Sequence, residues 1–392
     1  MTYYNNSKSQ YIELEKDSIK SVFILRPDHL GDTVLFSGTL RHLRAFYQQA
    51  EITLCVKNAV RNYFEKCPYV DTMLSWEDIA EPFPKWLPAF RGRGTLELYF
   101  WWLFHSWRLK RKYRYDLLLL PVRSPNYKMH AVSRAISAKM KYGISGDLSN
   151  QTKRIDKKAG NIYTDRMSLP EERQIGHELD INCEFVKYLG LDITAEDIWP
   201  EVWNDTEDKK WARNNIVPIN KTLTVALCPG VTSDHKKFYP ARLYVEAFSK
   251  FNNSRMHVLV FGSEAEKAQC EEVANAIEKC ENLVRVDNLA GYSTVRQLTE
   301  GLGACDLVIA NETAALHIAV ALHKPTIGIV GGGHFGRFYP WGNPSINKVV
   351  YNSMDCFSCN WHCKYPVMKC IQEIDPGTIS SQFEDIIKVI NK

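Results

Sequence analysis

Short apolar runs recur along this chain, each followed by a turn signal and a stretch with helical periodicity. Runs of four to six apolar residues bounded by Gly or Pro are typical of strands buried on both faces, and their alternation with helices favours parallel α/β sheets. The clearest runs are Val22–Leu25, Ile52–Val56, Leu117–Leu120, Leu223–Cys228, Val258–Phe261, Leu307–Ala310 and Ile327–Val330. The pattern therefore predicts two doubly wound, Rossmann-like domains.

The length of the chain supports this division. Its 392 residues are two to three times the usual ~150 residues of a domain, and the polar stretch Trp203–Lys221 interrupts the strands. We expect an N-terminal domain over 1–205, a C-terminal domain over 215–375 and a C-terminal helix over 376–392. The two domains are expected to face a central cleft that holds the ligands.

Composition excludes some classes of protein. The formal charge of +4 is too small to indicate nucleic-acid binding by net charge. The first twenty residues lack the pattern of a signal peptide, so we expect a cytoplasmic protein. Eleven cysteines in such a chain favour thiols or metal ligands over disulfides.

An aromatic-basic segment lies over 94–115. Residues 99–107 are almost wholly apolar and include Trp101, Trp102 and Trp107, and five cations follow over 108–114. The apolar part is shorter than the ~20 residues that a membrane-spanning helix needs. Two interpretations stay open: a helix over 98–114 that lies on the inner face of a membrane, or a core helix with a basic last turn.

A polar loop, Arg26–Asp32, comes directly after the first predicted strand. In open α/β sheets, ligands bind at the carboxyl ends of the strands. Gly31 would let a substrate approach the backbone, and Asp32 could accept a proton from a hydroxyl group. The alternative is that Asp32 caps the following helix.

The loop Pro229–Pro240 offers the groups that a diphosphate requires. Thr232 and Ser233 carry hydroxyls, and Lys236 and Lys237 carry positive charge. The spacing differs from that of a Walker A loop. The alternative is a solvated surface loop.

A third loop, Asn311–His317, lies between a strand and an Ala-rich helix. Thr313 is predicted near the helix N-terminus, where N–H groups favour phosphate, and the small Ala314 permits close approach. Glu312 would repel phosphate unless it faces a ribose hydroxyl, acts through a cation or serves the helix start. For His317 the alternative is a hydrogen-bonded core histidine.

The segment Gly331–Arg337 follows the last predicted strand, and Arg337 could reach an anion there. It resembles a dinucleotide fingerprint only loosely, so we discount a nicotinamide site. The alternative is a turn whose glycines need positive φ.

Four cysteines crowd into a short segment: Cys356, Cys359, Cys363 and Cys370. Such a set could bind zinc or iron as a structural site, and reduced thiols are the alternative.

Together these motifs resemble glycosyltransferase family 9, the family of the ADP-heptose:lipopolysaccharide heptosyltransferases, which has the GT-B fold. The resemblance lies in the order and spacing of ILRPDHLGD, CPYVD, HELDINCEF, PGVTSDHKKFYP, FGSEAE, NLAG and NETAALH. It implies that Asp32 is the base for the acceptor hydroxyl and that Lys237, with Thr232 and Ser233, holds the diphosphate. It further implies that Glu264 binds the ribose and that Thr313, Ala314 and His317 lie at the phosphates.

The chain departs from the family pattern at Glu312 and Ala314, where members usually have Asp and Gly, and at Tyr239, where they mostly have Trp. In part of the family, cysteine clusters near this position bind iron.

The resemblance implies an inverting glycosyltransferase that moves a sugar, heptose from ADP-heptose, to a lipopolysaccharide-type or other cell-surface acceptor. No cofactor is expected for catalysis. Three alternatives are another nucleotide sugar or a protein acceptor, a non-catalytic sugar-nucleotide-binding protein, and a metal-clustered nucleic-acid-binding protein, against which the near-neutral charge argues.

Overall fold

The structure is a computed structural model that describes residues 16–80, 105–169, 176–231, 235–251 and 254–390. These residues form two compact units that divide between Pro200 and Glu201. The polar stretch after this point, which the sequence suggested as a seam, supplies the helix Thr206–Asn215 of the second unit. An Asp205–Asp208 capping box starts that helix.

Each unit is built on one parallel six-stranded sheet. The first sheet has the order β3-β2-β1-β4-β5-β6 and the second the order β9-β8-β7-β10-β11-β12. The strands of the first unit are β1 Ser21–Leu25, β2 Glu51–Val56, β3 Thr72–Ser75, β4 Arg114–Leu120, β5 Ser137–Ile144 and β6 Asp165–Met167. Those of the second are β7 Leu223–Cys228, β8 Met256–Val260, β9 Leu283–Asn288, β10 Leu307–Asn311, β11 Thr326–Ile329 and β12 Asn347–Val350.

All seven predicted strands are present, shifted at their ends by at most three residues. The strands that the sequence missed include the edge strands β3, β6, β9 and β12. An edge strand covers less of the core, so its sequence need not be apolar; in β9, for example, none of the side chains is fully buried.

Helices accompany both sheets, most of them in the crossovers between consecutive strands. In the first unit they are α1 Leu30–Ser37, α2 Thr39–Phe46, α3 Asn58–Phe64, α4 Trp76–Ala80, α5 over 105–112, α6 Tyr127–Ala135, α7 Lys153–Ala159 and α8 Glu178–Tyr188. In the second unit they are α9 Thr206–Asn215, α10 Ala241–Phe248, α11 Lys267–Ile277, α12 Val295–Ala304, α13 Ala314–Ala321, α14 Lys369–Gln372 and α15 Pro376–Ile390.

Two helices follow the loop Arg26–Asp32. The first, α1, begins at Leu30 and ends at Ser37, and Gly38 separates it from α2. A Cβ at Gly38 would overlap the carbonyl oxygens of Ile198 and Trp199. Glycine therefore lets the segment 195–199 pack directly on the junction between the two helices.

The C-terminal helix α15 belongs to the core of the second unit. Its Phe383 ring stacks on Phe251 at a centroid distance of 4.0 Å, and Ile379 and Ile386 are fully buried. Within the described ranges, no helix has both the length and the apolar character needed to cross a membrane.

Candidate active site

In the first unit, the loop Arg26–Asp32 lies where β1 and β4 pair side by side. Because the chain leaves these neighbouring strands in opposite directions, their carboxyl ends open a crevice in which ligands of such sheets bind. The N-cap residue of α1 is His29, and Asp32 lies in the first helical turn with its side chain half-buried. The alternative that Asp32 is the N-cap residue is therefore wrong.

A buried arginine, Arg26, contacts the other end of this loop and holds it in place. The Arg26 guanidinium, which is 1% exposed, donates to the backbone oxygen of Asp32 at 3.3 Å and pairs with Glu178 at 3.2 Å. It also pairs with Asp28 at 2.8 Å and lies 5.0 Å from the centre of the Phe36 ring. Arg26 thus connects the first turn of α1 with the first turn of α8.

The buried charges continue to the neighbouring strand ends. Glu178 also approaches Arg123, after β4, at 3.7 Å, and Arg123 approaches Asp147, after β5, at 3.5 Å. Arg123, Asp147 and Glu178 were not predicted as part of the site. The available signals were the positions of Arg123 and Asp147 shortly after β4 and β5 and the place of Glu178 in the motif HELDINCEF.

In the second unit, the corresponding crevice lies between β7 and β10, which also pair side by side. Asn311, at the end of β10, donates to the Pro229 oxygen at 2.6 Å and accepts from the Tyr244 hydroxyl at 3.0 Å. Asn311 therefore fixes the two candidate loops against each other. Thr232 and Ser233 lie outside the described residues.

Lys237 and Glu312 both lie at this crevice, close enough for the ammonium charge to act on the Glu312 carboxyl group. The Glu312 carboxylate accepts the Gly331 N–H at 3.1 Å. Burial raises the pKa of Glu312 to about 7, against the lowering effect of the Lys237 ammonium and the Gly331 N–H. Near neutral pH the carboxyl group is partly protonated, which reduces the repulsion of phosphate expected from the sequence.

The helix α13 presents its N-terminus here. Thr313 is the N-cap residue, and its hydroxyl makes no capping hydrogen bond. Ala314 is the first helical residue, so the family's glycine is replaced at a position where alanine favours the helix. Anions bind readily at such an N-terminus.

His317 is buried one turn later. Its Nδ1 accepts the Trp341 indole N–H at 3.1 Å, and its ring stacks on Tyr339 at 4.3 Å. The geometry is that of a hydrogen-bonded core histidine, and Trp341 and Tyr339 were not predicted. Arg337 lies over the Phe338 ring at 4.8 Å, and Phe338 in turn lies edge-on to His317.

Glu264 follows β8 and is exposed. Its carboxylate lies against Gly291, where a Cβ would overlap Glu264 Oε2. Gly291 has a φ of +82°, which only glycine adopts readily. Glu264 is thus at the carboxyl end of the same sheet as Lys237.

The triple glycine Gly331–Gly333 has a different role from the positive-φ turn considered above. None of the three has a positive φ; in this segment only Gly336 does. Instead, a Cβ at Gly332 or Gly333 would overlap the ring of Phe357 or Trp361. The absence of side chains at these glycines therefore allows the segment with the cysteine cluster to pack against this loop.

The four clustered cysteines line one small cavity, of ≈ 10 Å³. Burial raises the pKa of the Cys370 thiol, and the other three cysteines act in the same direction. Nowhere in the described ranges do three or more His, Cys, Asp or Glu side chains stand in an arrangement that could hold a metal ion. The four thiols thus line one cavity, but their arrangement is not that of a metal site.

The helix over 105–112 has a buried side and an exposed basic side, so both interpretations of the aromatic-basic segment stay open. Leu109 and His105 are buried, and His105 Nε2 lies 2.7 Å from the Ile79 oxygen. Trp107 is 53% exposed, with the Arg111 guanidinium 4.7 Å from its ring centre. The part of the segment over 94–104, including Trp101 and Trp102, lies outside the described residues.

The fold and the loops define an α/β protein of the GT-B type. The family model of glycosyltransferase family 9 (heptosyltransferase) matches residues 106–364. The chain therefore belongs to glycosyltransferase family 9, and the predicted family and fold class are confirmed.

Three known proteins illustrate the similarity. The lipooligosaccharide heptosyltransferase 2 of Campylobacter jejuni serotype O:2 is 25% identical over 178 residues, 45% of this chain; the match spans about half, 54%, of that relative. The structure of E. coli ADP-heptose LPS heptosyltransferase II has a TM-score of 0.64 at 18% identity, over 95% of this chain and all of that one. The iron-containing dodecameric heptosyltransferase TibC of enterotoxigenic E. coli H10407, in complex with ADP-D-β-D-heptose, has a TM-score of 0.52 at 10% identity, over 95% of this chain and 77% of that one.

Replacing Glu178 by Gln tests the buried charge network. The change keeps the shape of the side chain but leaves Arg26 and Arg123 without their shared carboxylate, so we expect a loss of about 3 kcal/mol in the free energy of unfolding. Urea unfolding measures the loss. The control is Glu184→Gln on the same helix, which removes a half-exposed ion pair with Lys187 and should cost under ~1 kcal/mol. Equal losses in the two variants would contradict the network.

Proposed function

We propose that this protein is an inverting glycosyltransferase that moves heptose from ADP-heptose to a lipopolysaccharide-type acceptor. The observation that carries the proposal is the cluster in the second unit, where Lys237, Glu312 and the N-terminus of α13 lie together at one strand crevice. Family membership and the names of the relatives support the choice of sugar and acceptor.

The second unit binds the donor in this proposal. The Lys237 ammonium and the N–H groups at the start of α13 pair with the diphosphate, and Thr232, Ser233 and the Thr313 hydroxyl add hydrogen bonds. The exposed Glu264 carboxylate accepts hydrogen bonds from the ribose hydroxyls. His317, held by Trp341, and Arg337 complete the wall of the phosphate site.

The first unit supplies the base. Gly31 leaves room for the acceptor beside the backbone, and the Asp32 carboxylate takes the proton of the attacking hydroxyl. The hydroxyl oxygen bonds to the anomeric carbon while the bond to the nucleoside diphosphate breaks, which inverts the configuration. Lys237 and the α13 dipole stabilise the negative charge that develops on the leaving diphosphate.

Two substitutions separate these roles. Asp32→Asn should lower transfer from ADP-heptose by at least ~10²-fold and leave ADP affinity unchanged, because the amide cannot accept the proton. Lys237→Ala should lower both the rate of transfer and the affinity for ADP. Mass spectrometry of the products and titration calorimetry with ADP measure the two effects.

Lys279→Ala, at an exposed lysine of the second unit away from the strand crevice, is the matched control and should change neither quantity. Wild-type turnover in Asp32→Asn would refute the base assignment.

We further propose that Cys356, Cys359, Cys363 and Cys370, which line one cavity without forming a metal site as they stand, draw together around one iron or zinc ion when it binds. All four line the same cavity, thiols suit both metals, and the related TibC is described as iron-containing. The ion would fasten this segment of the chain as a structural element.

Elemental analysis of the purified protein tests this proposal. We expect about one metal ion per chain in the unmodified protein and a loss of most of it in Cys359→Ser, because the ligand set loses a thiolate. Cys67→Ser changes a buried thiol of the first unit and should retain the metal. Equal metal contents in the two variants would contradict the assignment.

We propose as well that the helix over 105–112 contacts an anionic membrane. The support is its exposed Trp107 beside Arg111 and the exposed cations Arg108, Lys110 and Lys112. This helix leads directly into β4, so its basic end is at the amino end of that strand, away from the loop of Asp32.

Sedimentation with vesicles that contain anionic lipid measures this contact. Combined Trp107→Ser and Arg111→Ser changes should reduce the bound fraction several-fold, because they remove both the aromatic and the charged contact. Tyr292→Ser, at another exposed aromatic residue, is the control. Undiminished binding by the double variant would exclude the contact.

A further inference from the structure

Lys237, a predicted site residue, contacts the cysteine segment through a residue that was not predicted, Trp361. The Lys237 ammonium lies 3.4 Å from the centre of the Trp361 ring. A cation over the face of an indole is attracted by the ring quadrupole, and tryptophan is the best side chain for this contact. Trp361 stands between Cys359 and Cys363, so the contact connects the diphosphate site with the cysteine cluster.

Trp361 is itself held in place. Its indole N–H donates to His334 Nδ1 at 3.1 Å, and the backbone of Gly333 lies against its ring so closely that a Cβ would overlap it. Trp361 has a φ of +62°, in the left-handed region that L side chains rarely adopt. The hydrogen bond to His334 and the contact with Gly333 fix the position of the Trp361 ring.

The whole segment is docked on the glycine loop by its backbone. The N–H of Ser358 donates to the Gly332 oxygen at 2.7 Å, and that of Asn360 donates to the Gly333 oxygen at 3.0 Å. The first residue of the same glycine loop, Gly331, donates to Glu312. The loop Gly331–Gly333 therefore holds both Trp361 and Glu312 in position near Lys237.

An aromatic face suits a lysine that must bind phosphate. A lysine side chain loses rotamer entropy on being fixed. A carboxylate would fix a lysine by neutralising its charge, whereas an indole ring restrains an ammonium group without neutralising it. Preorganisation of this kind raises affinity by lowering the cost of ordering.

We propose that Trp361 is a positioning residue that holds the Lys237 ammonium for the donor diphosphate. The inference rests on the proposed function of Lys237 and deepens it, because it gives the cysteine segment a role in donor binding. It requires no bond to change in Trp361, and Trp361 itself need not touch the donor.

The test compares Trp361→Leu with the conservative Trp361→Phe. Calorimetry should show ADP affinity about 3- to 10-fold weaker in Trp361→Leu and largely restored in Trp361→Phe, because phenylalanine keeps a ring face. In a Lys237→Met background the Trp361→Leu change should have no further effect. Phe357→Leu, which alters the other ring packed on the glycine loop, is the control and should bind ADP normally.

A second measurement needs no nucleotide. Labelling by an amine-specific reagent, read by mass spectrometry of the peptide that contains Lys237, should be several-fold faster in Trp361→Leu than in the unmodified protein. Unchanged labelling would overturn the inference, as would a loss of ADP affinity that persists in the Lys237→Met background. Failure of the unmodified protein to bind ADP would instead contradict the proposed function, while the labelling result still decides the role of Trp361.

Discussion

In each sheet the two central strands pair side by side, and this pairing determines where the candidate loops lie. β1 pairs with β4 and β7 with β10, both in parallel, and the chain continues outward from each pair in opposite directions. The loops after these strands therefore have open space between them and backbone groups that no crossover covers. The candidate residues Asp32, Lys237 and Thr313 all follow one of these four strands.

The two crevices handle charge in different ways. In the first unit the cation Arg26 is buried beneath the loop and is matched by Glu178 and Asp28, so it serves as support. In the second unit the cation Lys237 is set beside an aromatic ring and a carboxyl group whose pKa is raised to about 7. The first arrangement fixes a loop, and the second, in the proposed function, presents a positive charge to the donor diphosphate.

Much of this could be predicted from the sequence, and the failures have physical reasons. Central strands are buried on both faces, so runs such as Leu223–Cys228 are unmistakable, whereas the half-exposed β9 carries mixed residues. The position of Asp32 and Lys237 after strands was also readable. The roles of Gly38 and Gly331–Gly333 could not be predicted from the sequence. In each case another segment of the chain packs where a side chain would otherwise stand. The same holds for Arg26, Trp341 and Trp361, whose partners are fixed only by the tertiary fold.

We propose that the second unit binds a nucleoside diphosphate at the crevice between β7 and β10. A crystal structure of the protein with ADP decides whether it does. We expect the diphosphate at the N-terminus of α13, with a phosphate oxygen within hydrogen-bonding distance of Lys237 Nζ and the ribose at Glu264. ADP bound elsewhere, or with its phosphates away from Lys237, would refute this binding site.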